Sequence, residues 1–158
     1  MEELQTVKMS KTTARKLYKD MPDFRPSLEE TFGKAFFSGK ITDRIKTYED
    51  ACAEISEQPI NEAELKRLGF TSDELDYRKI KTITKALNEG WQADWSDEDQ
   101  YKWYPYFRFS SGSFRFDDTF YRYSYATAGI SSRLCFSRDE LATYAGKQFE
   151  ELYISFIK

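Results

Sequence analysis

The stretch YKWYPYFRFSSGSFRFDDTFYRYSY, residues 101–125, decides the fold. Twelve of its 25 residues are aromatic, with four arginines or lysines among them. Aromatic side chains favour strands, because they pack well on a pleated, half-buried surface. Ser110, Ser111, Gly112 and Ser113 interrupt the run. That predicts a hairpin with strands over 102–109 and 114–125. Period two then sorts the side chains. Trp103, Pro105, Phe107 and Phe109 share one face, matched after the turn by Phe114 and Phe116, and this face is expected to meet the core. Lys102, Tyr104, Tyr106 and Arg108 point the other way, with Arg115. Further along, Tyr121, Tyr123 and Tyr125 alternate with Phe120, Arg122 and Ser124. One buried and one wetter face is the pattern of an antiparallel sheet.

The wetter face holds the candidate ligand or partner residues: Tyr104, Tyr106, Arg108, Arg115 and Arg122. Tyrosines can stack on bases while arginines meet phosphates, which would make a platform for single-stranded nucleic acid or a nucleotide. The simpler reading is sheet chemistry, since cross-strand Tyr–Arg contacts stabilise a sheet without a ligand. The segment around Gly112 fits neither an RNA-recognition motif nor a phosphate loop.

Outward from the hairpin, residues 133–136 predict a third strand. Ser137 with Glu140 reads as a capping box that opens a long C-terminal helix to residue 156. Leu141, Tyr144, Ala145, Gln148, Phe149, Leu152 and Phe156 fall on one face of it. Gly146 sits inside that helix at a cost of about 1 kcal/mol against alanine, which points to close packing on the sheet.

On the N-terminal side, residues 4–9 suggest a short strand, and Ser10 the cap of a helix to residue 19, ended by Pro22. Ser27 with Glu30 predicts a helix over 28–37 in spite of Gly33. A helical turn over 41–46 follows. Thr47 with Asp50, Asn61 with Glu64 and Thr71 with Glu74 then predict three further helices. The second stops at Gly69 and the last runs to about residue 88, with Leu75, Ile80, Ile83 and Leu87 as its apolar stripe. Arg78, Lys79, Lys81 and Lys85 lie opposite that stripe, either a solvated face or a partner surface. Trp91 and Trp95 bracket an irregular piece, and the acidic residues after it lack the spacing of a calcium loop. The fold class is therefore α+β. Residues 1–90 are mainly helical, and residues 91–158 form a small antiparallel sheet of about three strands packed by a long C-terminal helix. One domain or two would both fit.

Composition narrows function. The chain has 158 residues and a net charge of −3. The charge is uneven: residues 49–100 hold six basic and fourteen acidic side chains, whereas residues 1–48 hold ten and seven. A field that binds polyanions everywhere is not expected, but a local basic face is compatible with it. The chain contains no histidine, which removes the commonest general base and metal ligand and every Ser-His or Cys-His pair. Asp117–Asp118 and Glu150–Glu151 are sequence neighbours whose side chains diverge, so no shared proton or metal is implied. No catalytic residue, cofactor or metal is assigned. Cys52 and Cys135 are expected as buried thiols in a reducing compartment. No apolar run is long enough for a bilayer and no secretory signal is visible, so a cytoplasmic protein is expected.

Three segments carry a resemblance: KITDRIKTYEDACAE (40–54), ITKALNEGW (83–91) and SRLCFSRDELATYAGKQFEELY (132–153). They are similar to a family of small uncharacterised proteins encoded by phages and mobile elements of Bacteroidetes-type bacteria. The resemblance covers most of the chain from about residue 27 and implies a context, an accessory protein in the bacterial cytosol, with no activity to carry over. Together with the missing histidine, it leads to the expectation of a non-enzymatic binding protein. Such a protein would act through protein contacts, as a virion component or an inhibitor of host defence. The alternative is a binder of single-stranded nucleic acid or a nucleotide on the outer hairpin face.

Overall fold

The computed structural model describes residues 9, 11–124 and 132–158. The expected strand over 4–9 and the Ser10 cap lie outside the described residues. Nine helices are described: α1 (Lys11–Asp20), α2 (Arg25–Phe32), α3 (Lys34–Ser38), α4 (Ile41–Arg44), α5 (Tyr48–Glu54), α6 (Glu62–Arg67), α7 (Ser72–Leu87), α8 (Asp139–Gln148) and α9 (Glu150–Ile157). Two strands, β1 (Lys102–Ser110) and β2 (Ser113–Arg122), form an antiparallel pair between α7 and α8.

Three of the expected caps form. Thr47 and Thr71 make capping boxes with Asp50 and Glu74, and Asn61 accepts from the Glu64 amide. Each such cap contributes about 1 kcal/mol by satisfying an amide that the helix leaves orphaned. Two expected starts shift. Pro26 occupies the first turn of α2, where its missing N–H costs nothing, so the helix begins upstream of Ser27. Gly33, at φ +80°, then separates α2 from α3. At the other end Arg138, not Ser137, is the N-cap of α8. The Ser137 amide is already held by the Asn88 side chain, which delays helix entry by one residue.

Two further expectations are corrected. Residues 133–136 do not form a third strand. A 3-10 turn (Ser132–Leu134) leads to one antiparallel bridge between Trp103 and Phe136, closed by two backbone hydrogen bonds of 2.9 and 2.8 Å. The long C-terminal helix is two helices, broken at Phe149 (φ −113°, ψ 28°). The break lets Phe149 stay in the core while α9 turns Tyr153 towards Phe107, 5.2 Å between ring centroids.

The apolar core draws on both halves of the chain. Ile41, Ile45, Ala51, Ile80, Ile83 and Leu87 meet Leu134, Phe136, Leu141, Ala145 and Tyr153. Two polar devices fasten it. Asn88, buried at the end of α7, donates to the Cys135 carbonyl (2.9 Å) and accepts from the Ser137 amide (3.1 Å). Arg44 joins Glu54 and Glu89, each at 3.1 Å, and donates to the Gly39 carbonyl, while Arg15 of α1 reaches the same Glu54.

Both cysteines are buried thiols. Burial pushes the Cys135 thiol up to about 11, raises Cys52 in the same direction, and holds the Tyr48 hydroxyl near 12. These groups keep their protons in the folded state to a higher pH than in the unfolded chain. Unfolding therefore releases protons above the ordinary thiol range, and stability falls as pH rises. The urea midpoint is expected to drop between pH 9 and 11, the window set by the ordinary and the raised Cys135 values. An unchanged midpoint across that window would contradict the burial of these groups.

Candidate functional site

The hairpin turn forms as its residues require. Ser111 and Gly112 both take positive φ (51° and 83°), the twist that suits a two-residue connection. Pairing runs from Ser110–Ser113 to Lys102–Arg122, with one irregularity between Tyr106 and Phe107 that leaves Asp117 as the extra residue of β2. The bulge keeps the face alternation of both strands in step on either side of it.

The inner face is what period two predicts, as far as the helices reach. Trp103 and Phe107 pack on the core, and Phe116 and Pro105 lie against Gly146 of α8. Thr119 donates to Asp139 at the start of α8. Nearer the tip, Arg115 and the Phe116 amide still reach Glu150 of α9. Phe109 is 61% exposed, and Phe114 beside it is half-buried, with ring centroids 5.3 Å apart. Phe109 is therefore not a core residue, contrary to the alternation.

The outer face departs from expectation at its base. Tyr104 is only 5% exposed and stacks on Phe120 at 5.3 Å. Its hydroxyl lies beside the Cys135 thiol, without a well-formed hydrogen bond, and burial raises its pKa. Lys102 is completely buried beneath the loop that follows α7. Its ammonium donates to the Asp97 carbonyl (3.1 Å) and stands 5.3 Å from the Trp95 ring. Burying that charge is tolerable because a carbonyl and a π-face replace its water. The residues before β1 thus roof the strand, which period two cannot foresee.

The five candidates consequently divide. Tyr104 is inside. Arg122 lays its guanidinium over Phe120 at 4.9 Å. Tyr106, 44% exposed, stays open and meets Phe120 edge-on. Arg108 grips Asp117 with two 2.8 Å contacts to one carboxylate oxygen. Arg115 reaches Glu150, whose second oxygen accepts from the Phe116 amide at 2.9 Å. That carboxylate also covers part of the outer edge of β2. Both exposed arginines are thus neutralised locally. At the distal end two aromatic surfaces stay open, Tyr106 on the outer face and Phe109 beside Phe114 on the inner face.

At the base of the hairpin, Tyr101, Trp103, Tyr121 and Tyr123 form a second aromatic cluster, with centroids 4.7 to 5.9 Å apart. Tyr101 and Tyr121 are more than 40% exposed. Neither stood among the sequence candidates. Tyr121 shares the inner-facing register of Trp103, and only the position of α8 reveals that it projects past the core.

Among the described residues no side chains gather into a metal-binding group, and no helix is long and apolar enough to cross a membrane. Compared with protein-family models, with curated proteins and with solved structures, the chain finds no match.

Proposed function

We propose that the protein is a non-enzymatic binding protein that engages a protein partner through the distal end of the β1–β2 hairpin. One observation carries this reading: Phe109 and Tyr106 remain exposed there while Arg108 and Arg115 are tied to Asp117 and Glu150. Exposed aromatic side chains on both faces of a hairpin end whose arginines are already paired have the composition of a protein interface, and a partner that grips the hairpin end would meet both. Phosphate recognition would instead call for uncompensated cations along this face. The absence of histidine from the chain supports a binding role over acid–base catalysis. The resemblance to proteins of phages and mobile elements supports an accessory role in a bacterial cell.

A photo-crosslinking residue at position 109, in the native host, is expected to capture a discrete protein that nuclease treatment leaves in place. The same probe at the solvent-facing Lys66 on α6 should not capture it, and the double substitution Tyr106→Ser with Phe109→Ser should abolish capture. Equal capture from both positions would sink the proposal. So would turnover of a nucleotide, peptide or sugar substrate by the purified protein.

A further inference from the structure

A second feature lies away from the hairpin tip. A cleft of about 570 Å³ opens between α7, the loop after it and the segment before Phe136. Arg78, Lys81 and Lys85 line it from α7, Trp91 and Trp95 from the loop, and Arg133 from the far side. The helix positions are spaced three and four apart, so the three cations share one face over about 10 Å.

Their charges are unequally compensated. Lys85 pairs with Glu57 at 2.5 Å. Among the described residues Arg78 and Lys81 have no carboxylate partner. They lean instead on the Phe70 and Tyr77 rings, each 4.8 Å away. Among the described residues Glu57 is the one acidic side chain on the wall. This cleft therefore concentrates positive charge within the acidic middle third of the sequence. An unwalled lysine face is most simply solvated; here two half-buried indoles stand across from it. Trp95 is already engaged with the buried Lys102 ammonium, which leaves Trp91 as the ring available to stack. Cations that take phosphate, an indole that takes a base, and a volume in the range of small-molecule sites occur together.

We propose that this cleft binds a phosphorylated nucleobase, in a nucleotide or in single-stranded nucleic acid, with the base on Trp91 and phosphate against Arg78 and Lys81. This site is separate from the hairpin face, and each proposal stands if the other fails.

The chain carries three tryptophans, so binding can be read from tryptophan emission. ATP and a short oligothymidylate are the two probes. Saturable quenching that weakens with added salt is expected from at least one of them. Tighter binding of the oligonucleotide identifies a single strand as the source, and equal or tighter binding of ATP a nucleotide. Arg78→Ala with Lys81→Ala should lower affinity about tenfold or more and flatten the salt dependence. Trp91→Ala should lower it about tenfold and remove most of the quenching. Tyr106→Ser with Phe109→Ser should change neither. Thermal unfolding at the wild-type temperature shows that a variant is folded. If the double cation variant is not, Lys81→Glu alone serves the same purpose. The proposal is overturned if neither probe binds at low salt. It is also overturned if Trp91→Ala is silent while inorganic polyphosphate displaces the probe with equal affinity, or if the hairpin variant loses binding as fully as the cleft variants.

Discussion

Gly146→Val is expected to destabilise the protein by about 3 kcal/mol, the upper part of the range for overpacking a filled site. A methyl group at position 146 would overlap the Phe116 ring and stand 2.9 Å from Pro105 Cβ. Neither neighbour yields easily. Pro105 is fixed in β1, and the Phe116 ring is held edge-on to Phe107 (6.0 Å) and beneath the Lys147 ammonium (5.7 Å). Alanine at 146 sets two effects against each other. The helix gains up to about 1 kcal/mol from the better helix former. The methyl group must displace the ring, so a smaller net loss than for valine is expected. Phe116→Ala should shrink the loss: with the ring gone, Gly146→Ala meets only Pro105 Cβ at 2.9 Å and should cost less than it does with Phe116 in place. A double-mutant cycle by urea denaturation measures that coupling. Gly146→Ala as stable as wild type with Phe116 intact would mean that α8 does not approach the hairpin this closely.

The reason Gly146 was legible in the sequence is general to what could be read. A glycine inside a strong apolar helical pattern is a local cost that needs a local cause, and close packing is the commonest one. Caps were legible for the same reason, since Thr47, Asn61 and Thr71 each bond within three residues. What sequence could not supply was the reach of one element over another. Period two placed Phe109 with the core and Tyr104 outside, because it knows faces but not where the covering helices stop. Tyr104 is buried by Cys135 and its neighbours, Lys102 by the loop that carries Trp95, and Phe109 is exposed because α8 and α9 pass nearer the hairpin's middle. The pairing of Arg115 with Glu150 spans 35 residues and is equally invisible in one dimension. The same limit hid the cleft. In sequence Arg78, Lys81 and Lys85 read as a solvated face or a partner surface, and the walls that Trp91 and Trp95 add lie beyond the helix's own periodicity.

Asn88→Ala is expected to cost about 2–4 kcal/mol, because it orphans two backbone groups at once. The Asn88 amide ties the end of α7 to residues 135–137, 47 and 49 residues away in sequence. The Cys135 carbonyl and the Ser137 amide would lose their partner where water enters poorly, since Asn88 is 8% exposed and Cys135 2%. The Trp103–Phe136 bridge lies between those two groups, so loosening the clamp should loosen the attachment of the hairpin as well. Hydrogen exchange of the Ser137 and Phe136 amides should accelerate more than that of the α7 interior. Asn88→Asp gives the more discriminating result. A carboxylate can still accept from the Ser137 amide, but it has no proton for the Cys135 carbonyl and sets negative charge against it. The variant should be at least as unstable as Asn88→Ala at neutral pH. Its carboxyl, buried and facing a carbonyl, would have a raised pKa in the folded state, so folding would take up a proton as pH falls. Stability should therefore recover relative to wild type on acidification, because the protonated acid restores the missing donor. A urea series for wild type and both variants at neutral and mildly acidic pH measures this directly. If Asn88→Ala lies within about 0.5 kcal/mol of wild type, as ordinary surface substitutions do, then the amide is not the fastening that joins the two halves of the core.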